Sequence, residues 1–174
     1  MKFVKLLGGG QVQVVEESEP GPAPGEVLIK TAAAALCGSE LHGYRGGGAK
    51  SGNSGHEAAG TVVRFGEDVD GLKVGQRVGV SAVAGCGECS YCELGQYTWC
   101  EKRKFYGKMH AEYFVVAANA CHVLPSEVSW DVGVLLTGDG MGAPMHTARK
   151  IEMPDVKTVV VFGLGPIGLG NVLL

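Results

Sequence analysis

The sequence predicts a β-rich α+β fold, and three observations carry that expectation. Glycine supplies 29 of the 174 residues, more than twice the usual ~7%, and no Gly-X-Y period accompanies it, so the chain must turn often. Short runs of β-branched and apolar residues recur between these turn signals, as strands do. Longer-period apolar spacing is confined to residues 126–150, and a single strand–glycine turn–helix pattern closes the chain.

In chain order, residues 3–7 and 11–15 are apolar runs flanking Gly8-Gly9-Gly10, which predicts a hairpin. Residues 19–25 combine prolines and glycines in a surface turn, followed by a strand over 26–34. The glycine- and serine-rich stretch 45–55 reads as a loop. Residues 60–65 form a strand, 67–71 a turn, and 73–80 alternate toward a further strand. Residues 85–108 hold most of the cysteines, 111–117 return to strand, and 126–150 are helical in parts. The pattern over 157–174 predicts a strand at 159–162, a glycine turn and the start of a helix.

Hydrophobic residues make up 45% and charged residues 19%, a composition that excludes intrinsic disorder. A net charge of −3 gives no pull toward nucleic acid or an anionic membrane, so neither is an expected partner. Residues 158–174 carry no charged side chain, yet their glycines, Pro166 and Asn171 fit a buried strand and turn better than a lipid-facing helix. The first apolar run meets three glycines too soon for a signal peptide, and the expected location is the cytoplasm.

Four of the six cysteines, Cys86, Cys89, Cys92 and Cys100, follow a C-x2-C-x2-C-x7-C spacing. Thiols this close in sequence converge on one ion more readily than they pair with each other. Structural zinc, held by four thiolates, is the expected occupant. An iron–sulfur run opens with the same C-x2-C-x2-C but places its fourth cysteine three residues on, before proline; here Glu101 follows Cys100. Lys102-Arg103-Lys104 admits a nucleic-acid zinc ribbon, but neither an aromatic platform nor a second basic run supports one.

Gly163-Leu164-Gly165-Pro166-Ile167-Gly168 follows the apolar run 159–162. After a strand, this G-x-G-x-x-G pattern lets backbone N–H groups approach a dinucleotide pyrophosphate at a helix N-terminus. Gly163, Gly165 and Gly168 are the candidate cofactor-binding residues. The acidic residue that reads the ribose would lie ~20 residues beyond the turn, so the cofactor is expected as NAD or NADP.

Cys37-Gly38-Ser39-Glu40 with His42, then Gly55-His56-Glu57, the four-cysteine lobe and the glycine pattern occur in an order that resembles the zinc-dependent medium-chain alcohol dehydrogenases. The resemblance runs to the last residue, and such enzymes are about twice as long. It implies a GroES-like β-barrel catalytic domain over residues 1–155 and the beginning of a Rossmann dinucleotide-binding domain over 156–174. It places Cys37, His56 and Asp139 as ligands of a catalytic zinc, with Cys86, Cys89, Cys92 and Cys100 on a structural one, two zinc ions per chain. The alternative reading of Asp139, from its own neighbourhood, is a helix N-cap ahead of 140–150. Glu57 matches a carboxylate near the catalytic metal, Ser39 the hydroxyl facing the substrate oxygen, and His42 the outer end of a proton relay.

The implied function is hydride transfer between a small alcohol or polyol and a nicotinamide, with the full-length parent a homodimer or homotetramer and this chain an inactive fragment of it. The alternative is a non-catalytic zinc-binding module, for which the open set Cys37, His56 and Asp139 has no use. Cys121 and His122 are expected to serve packing, His110 and His146 to lack partners at ligand spacing, and Trp99 to cover the cysteine lobe.

Overall fold

Gly8, Gly9 and Gly10 take φ of 86°, 59° and 79°, the left-handed region that glycine enters without steric cost. They close the predicted hairpin between β1 (Lys2–Gly8) and β2 (Gln11–Glu16). The computed structural model describes residues 1–151 and 156–174. The expected domain boundary at 155/156 abuts residues 152–155 and so lies outside the described residues.

After the hairpin come β3 (Glu26–Ala35), a 3-10 turn (Gly38–Glu40), α1 (Leu41–Arg45), β4 (Glu57–Phe65), β5 (Arg77–Val80) and β6 (Val83–Ala84). The chain continues through α2 (Ser90–Glu93), β7 (Lys104–Phe105), β8 (Tyr113–Ala117) and β9 (Cys121–Val123). Three helices follow: α3 (Trp130–Thr137), α4 (Asp139–Ile151) and α5 (Pro166–Leu173).

The main sheet has five strands in the order β8-β3-β4-β5-β9, all neighbours antiparallel. The hairpin is tied to it through the segment leading into β8. Val4 N–H donates to the His110 carbonyl at 2.9 Å, and Glu112 N–H to the Lys2 carbonyl at 3.0 Å. On the other side of that segment, Thr31 N–H donates to the Glu112 carbonyl at 2.9 Å.

Both faces of the sheet are covered, because successive strand residues point to opposite sides. Ala58 joins a core with Val27, Ile29, Val62, Val78, Val80, Phe114 and Val116, whereas its neighbour Ala59 joins Leu124 and Val134 on the opposite face. The second face is roofed by α3, which Arg77 secures: its guanidinium donates to the Pro125 carbonyl at 3.2 Å and stacks 4.1 Å from the Trp130 ring centroid.

The expected strand at 159–162 is not formed. Val159, Val160 and Phe162 are 51%, 69% and 95% exposed, and residues 157–164 carry no strand pairing. A strand exists by virtue of its ladder, and no described residue offers this segment one. The helix of that pattern does form, as α5, and it packs on α4. Gly170 is buried there, with Pro144 Cγ 2.6 Å from where a Cβ would lie.

Candidate active site

The antiparallel pairing of β3 with β4 puts Ala35 opposite Glu57. Cys37 stands just past the end of β3 and His56 just before β4, so the sheet register alone brings the two together. Asp139 reaches them from α4, of which it is the first residue rather than the cap, immediately after Gly138 ends α3. One ligand atom from each of Cys37, His56 and Asp139 lies within 4.8 Å of the other two.

His56 Nδ1 lies 2.8 Å from the Ser54 carbonyl. A carbonyl can only accept, so Nδ1 carries the proton and Nε2 is the nitrogen turned to the cluster. His56 Nε2 stands 3.5 Å from Asp139 Oδ2. Hydrogen bonding to Asp139 raises the His56 pKa to about 10, and the same contact lowers that of Asp139. The Cys37 thiol is also held below its ordinary value, first by hydrogen bonding with the Ser39 side chain and backbone, with a smaller contribution from His56. One thiolate, one imidazole and one carboxylate are a donor set that suits zinc and leaves a fourth position open. The 3.5 Å separation matches the edge of a tetrahedron of zinc ligands, so the residues present fit the metal.

The second cluster also fits one ion. All four sulfurs of Cys86, Cys89, Cys92 and Cys100 lie within 4.8 Å of one another. Cys92 Sγ is 3.9 Å from Cys86 Sγ and 3.5 Å from Cys89 Sγ. A tetrahedron with Zn–S bonds of about 2.3 Å has S···S edges of about 3.8 Å, far from the ~2.05 Å of a disulfide. The Cys86 thiol is lowered to about 7, chiefly by the Glu88 backbone N–H, which favours the thiolate a metal needs. Trp99, expected over this lobe, is 67% exposed. Tyr97 does the covering: its Cδ1 lies 2.8 Å from the Cβ position of Gly85, which also abuts Cys92 Sγ.

Glu57 is buried at 7% exposure and sits beside the first cluster without belonging to it. Its Oε1 is 3.0 Å from the Cβ position of Gly138, which fixes it under the α3–α4 junction. Ser39 and His42 are both exposed, on the 3-10 turn and on α1 respectively. The glycine pattern keeps its turn even without its strand. Gly163 has φ of 90°, Gly165 caps α5 and Pro166 opens it. The Gly163 carbonyl carbon lies 2.9 Å from the Cβ position of Gly168, leaving no room for a side chain there. A cavity of about 550 Å³ is lined by Cys37, Glu57 and Asp139 together with Gly163, Gly165 and Gly168.

His110 belongs to neither donor cluster, but it has a hydrogen-bond partner: its Nε2 is 2.7 Å from Glu40 Oε2, with Glu40 only 2% exposed. The two residues are far apart in sequence, and only the packing of the 110–112 segment beside β1 and β3 joins them. Cys121 behaves as expected of a packing residue, its thiol raised to about 12 by burial.

The alcohol dehydrogenase GroES-like domain family matches residues 23–126. Sorbitol dehydrogenase of Halalkalibacterium halodurans is 36% identical over 169 residues, covering 93% of this chain and 49% of its own length. L-threonine 3-dehydrogenase of Pyrococcus horikoshii is 35% identical over 177 residues, covering 96% and 50%. Among solved structures, a short chain alcohol dehydrogenase of E. coli CFT073 complexed with cofactor NADH superposes with a TM-score of 0.83 at 32% identity, covering 99% of this chain and 52% of that one. The chain thus spans about half the length of the curated relatives it matches. By sequence, by fold and by its sheet-rich GroES-like domain, the chain belongs to the zinc-type medium-chain alcohol dehydrogenase family.

Proposed function

We propose that this chain supplies the catalytic domain of a zinc-dependent oxidoreductase that moves hydride between a small alcohol or polyol and NAD or NADP. The observation that supports the reading is the shared cavity: Cys37, Glu57 and Asp139 line the same cavity as the Gly163–Gly165–Gly168 turn. Cys37, His56 and Asp139 would hold the catalytic zinc, and Cys86, Cys89, Cys92 and Cys100 the structural one. When bound, zinc supplies a Lewis acid that makes a substrate hydroxyl more acidic, and the nicotinamide supplies the hydride acceptor.

The chain's own residues manage the proton and the fit. Ser39, too weak a base to keep an added proton, accepts it while handing its own on, and the exposed imidazole of His42 passes a proton to water. Glu57, buried beside the cluster, backs the metal donors. The glycine turn aims the α5 N–H groups at a pyrophosphate. Residues 1–155 form the catalytic domain in this reading, and 156–174 the first part of the nucleotide domain.

The 174-residue chain alone is read as inactive. With Val160 and Phe162 exposed, the segment before the turn pairs with no strand among the described residues, and hydride transfer needs the nicotinamide fixed against the reacting carbon. The test assays the chain alone and joined to the second half of the sorbitol dehydrogenase relative, with NAD, NADP and a panel of alcohols and polyols. The expected result is zinc-dependent turnover by the joined protein, abolished by Cys37→Ser, and none by the chain alone. A joined protein that binds cofactor but oxidises no alcohol would overturn the dehydrogenase reading.

A further inference from the structure

Behind the Cys37–His56–Asp139 cluster lies a second, buried layer of polar groups. Glu40 is 2% exposed and Asn53 fully buried. A carboxylate in such a place is costly unless donors surround it, and Glu40 has one on each oxygen. Oε1 accepts the Cys37 backbone N–H at 3.1 Å. Oε2 accepts from His110 Nε2 at 2.7 Å, the ring nitrogen being the donor because a carboxylate only accepts.

His110 is fixed in turn. Asn53 Nδ2 donates to the His110 carbonyl at 3.3 Å and to the Val4 carbonyl at 2.9 Å. Asn53 Oδ1 accepts from His110 N–H at 3.4 Å and from Gly55 N–H at 3.1 Å. The His110 ring lies flush against Gly55, its Cδ2 2.7 Å from where a Cβ would be. Gly55 immediately precedes His56. A continuous path therefore runs from Cys37 through Glu40, His110 and Asn53 to Gly55 and His56. It ties the two metal-donor segments together from behind, beside the end of the β3–β4 ladder.

We propose that Glu40 and His110 are positioning residues for the candidate metal centre: their buried hydrogen bond sets the spacing of Cys37 and His56 from behind. This rests on the reading of Cys37, His56 and Asp139 as metal donors. A pair that served folding alone would not need to end on the backbone of one donor and abut the residue before the other. Partners of this kind, one shell behind the ligands, typically change metal affinity by about 10–100-fold when removed.

The test is cobalt(II) titration of the metal-free 174-residue chain, followed by visible absorption, with the four-cysteine lobe as internal control. Cys37→Ser identifies by difference the absorption of the three-donor site. His110→Phe, which keeps an aromatic ring but removes the donor to Glu40, should weaken cobalt at that site by about 10–100-fold and shift its band, leaving the four-cysteine site unchanged. His110→Gln, whose amide reaches about as far as Nε2, should restore both affinity and band. Should His110→Phe not fold, His110→Asn, whose amide is too short to reach Glu40, carries the same comparison against His110→Gln. Unchanged affinity and band in the donor-less variant would overturn the positioning role, as would equal losses at both sites. If the Cys37→Ser variant takes up cobalt just as the unsubstituted chain does, the metal-centre reading itself fails, and the positioning role with it.

Discussion

His56 and Asp139 meet at 3.5 Å, Nε2 to Oδ2, the first at the mouth of β4 and the second at the first residue of α4. In the metal-free chain this contact raises the His56 pKa to about 10, so the imidazole is protonated near neutrality. A raised folded pKa stabilises the fold fully below the ordinary histidine value of ~6.5, and that contribution is lost as pH climbs through about 10. A metal needs the neutral imidazole and must displace that proton. Cobalt affinity at this site should therefore rise with pH, about tenfold per unit for each proton displaced, and calorimetry in two buffers should record proton release. Asp139→Asn should bring the His56 titration, followed by NMR, back down toward ~6.5.

The four-cysteine lobe should lose its metal in two independent ways. Cys92→Ala removes a thiolate and leaves an incomplete tetrahedron, so zinc content should fall by one per chain while amides in 85–108 exchange faster. Gly85→Ala keeps every thiol but drives a methyl group against Cys92 Sγ and the Tyr97 ring. It should weaken zinc at the lobe nearly as severely. Elemental analysis finding iron, or unchanged zinc in Cys92→Ala, would defeat the assignment.

Phe162 is 95% exposed and Phe114 only 2%. Brief chymotrypsin digestion should therefore cut first after Phe162, releasing α5, with mass spectrometry reading the fragments. Joining the chain to the rest of a nucleotide domain should protect the same bond, because a partnered strand withdraws it from the protease.

Phe114, on β8 opposite Ile29 of β3, belongs to the sheet core and is buried at 2% exposure. Phe114→Ala should destabilise the fold by about 3–5 kcal/mol, seen as a lower urea midpoint at unchanged slope. The lobe zinc should survive, since Phe114 lies in the sheet core and none of the four cysteines belongs to that cluster.

What the sequence alone determined is what short-range chemistry can encode. The Gly8-Gly9-Gly10 hairpin and the cysteine lobe depend on residues close together in the chain, and the apolar runs around Val27, Val62 and Val78 are themselves local even though their pairing is not. The glycine turn ahead of α5 is local too, and forms even without its strand. Cys37 and His56 came from motif order, and their meeting followed from the β3–β4 register. The tertiary structure decided the rest. Asp139 reads locally as a helix cap, and only the break at Gly138 between α3 and α4 turns its carboxylate to His56. The 159–162 run has every mark of a strand, but a strand's hydrogen bonds belong to its neighbours, and among the described residues it has none. Glu40 and His110 carry no mutual signal in the sequence. Their hydrogen bond exists because the 110–112 segment lies between β1 and β3, a placement set by long-range pairing and not by either residue.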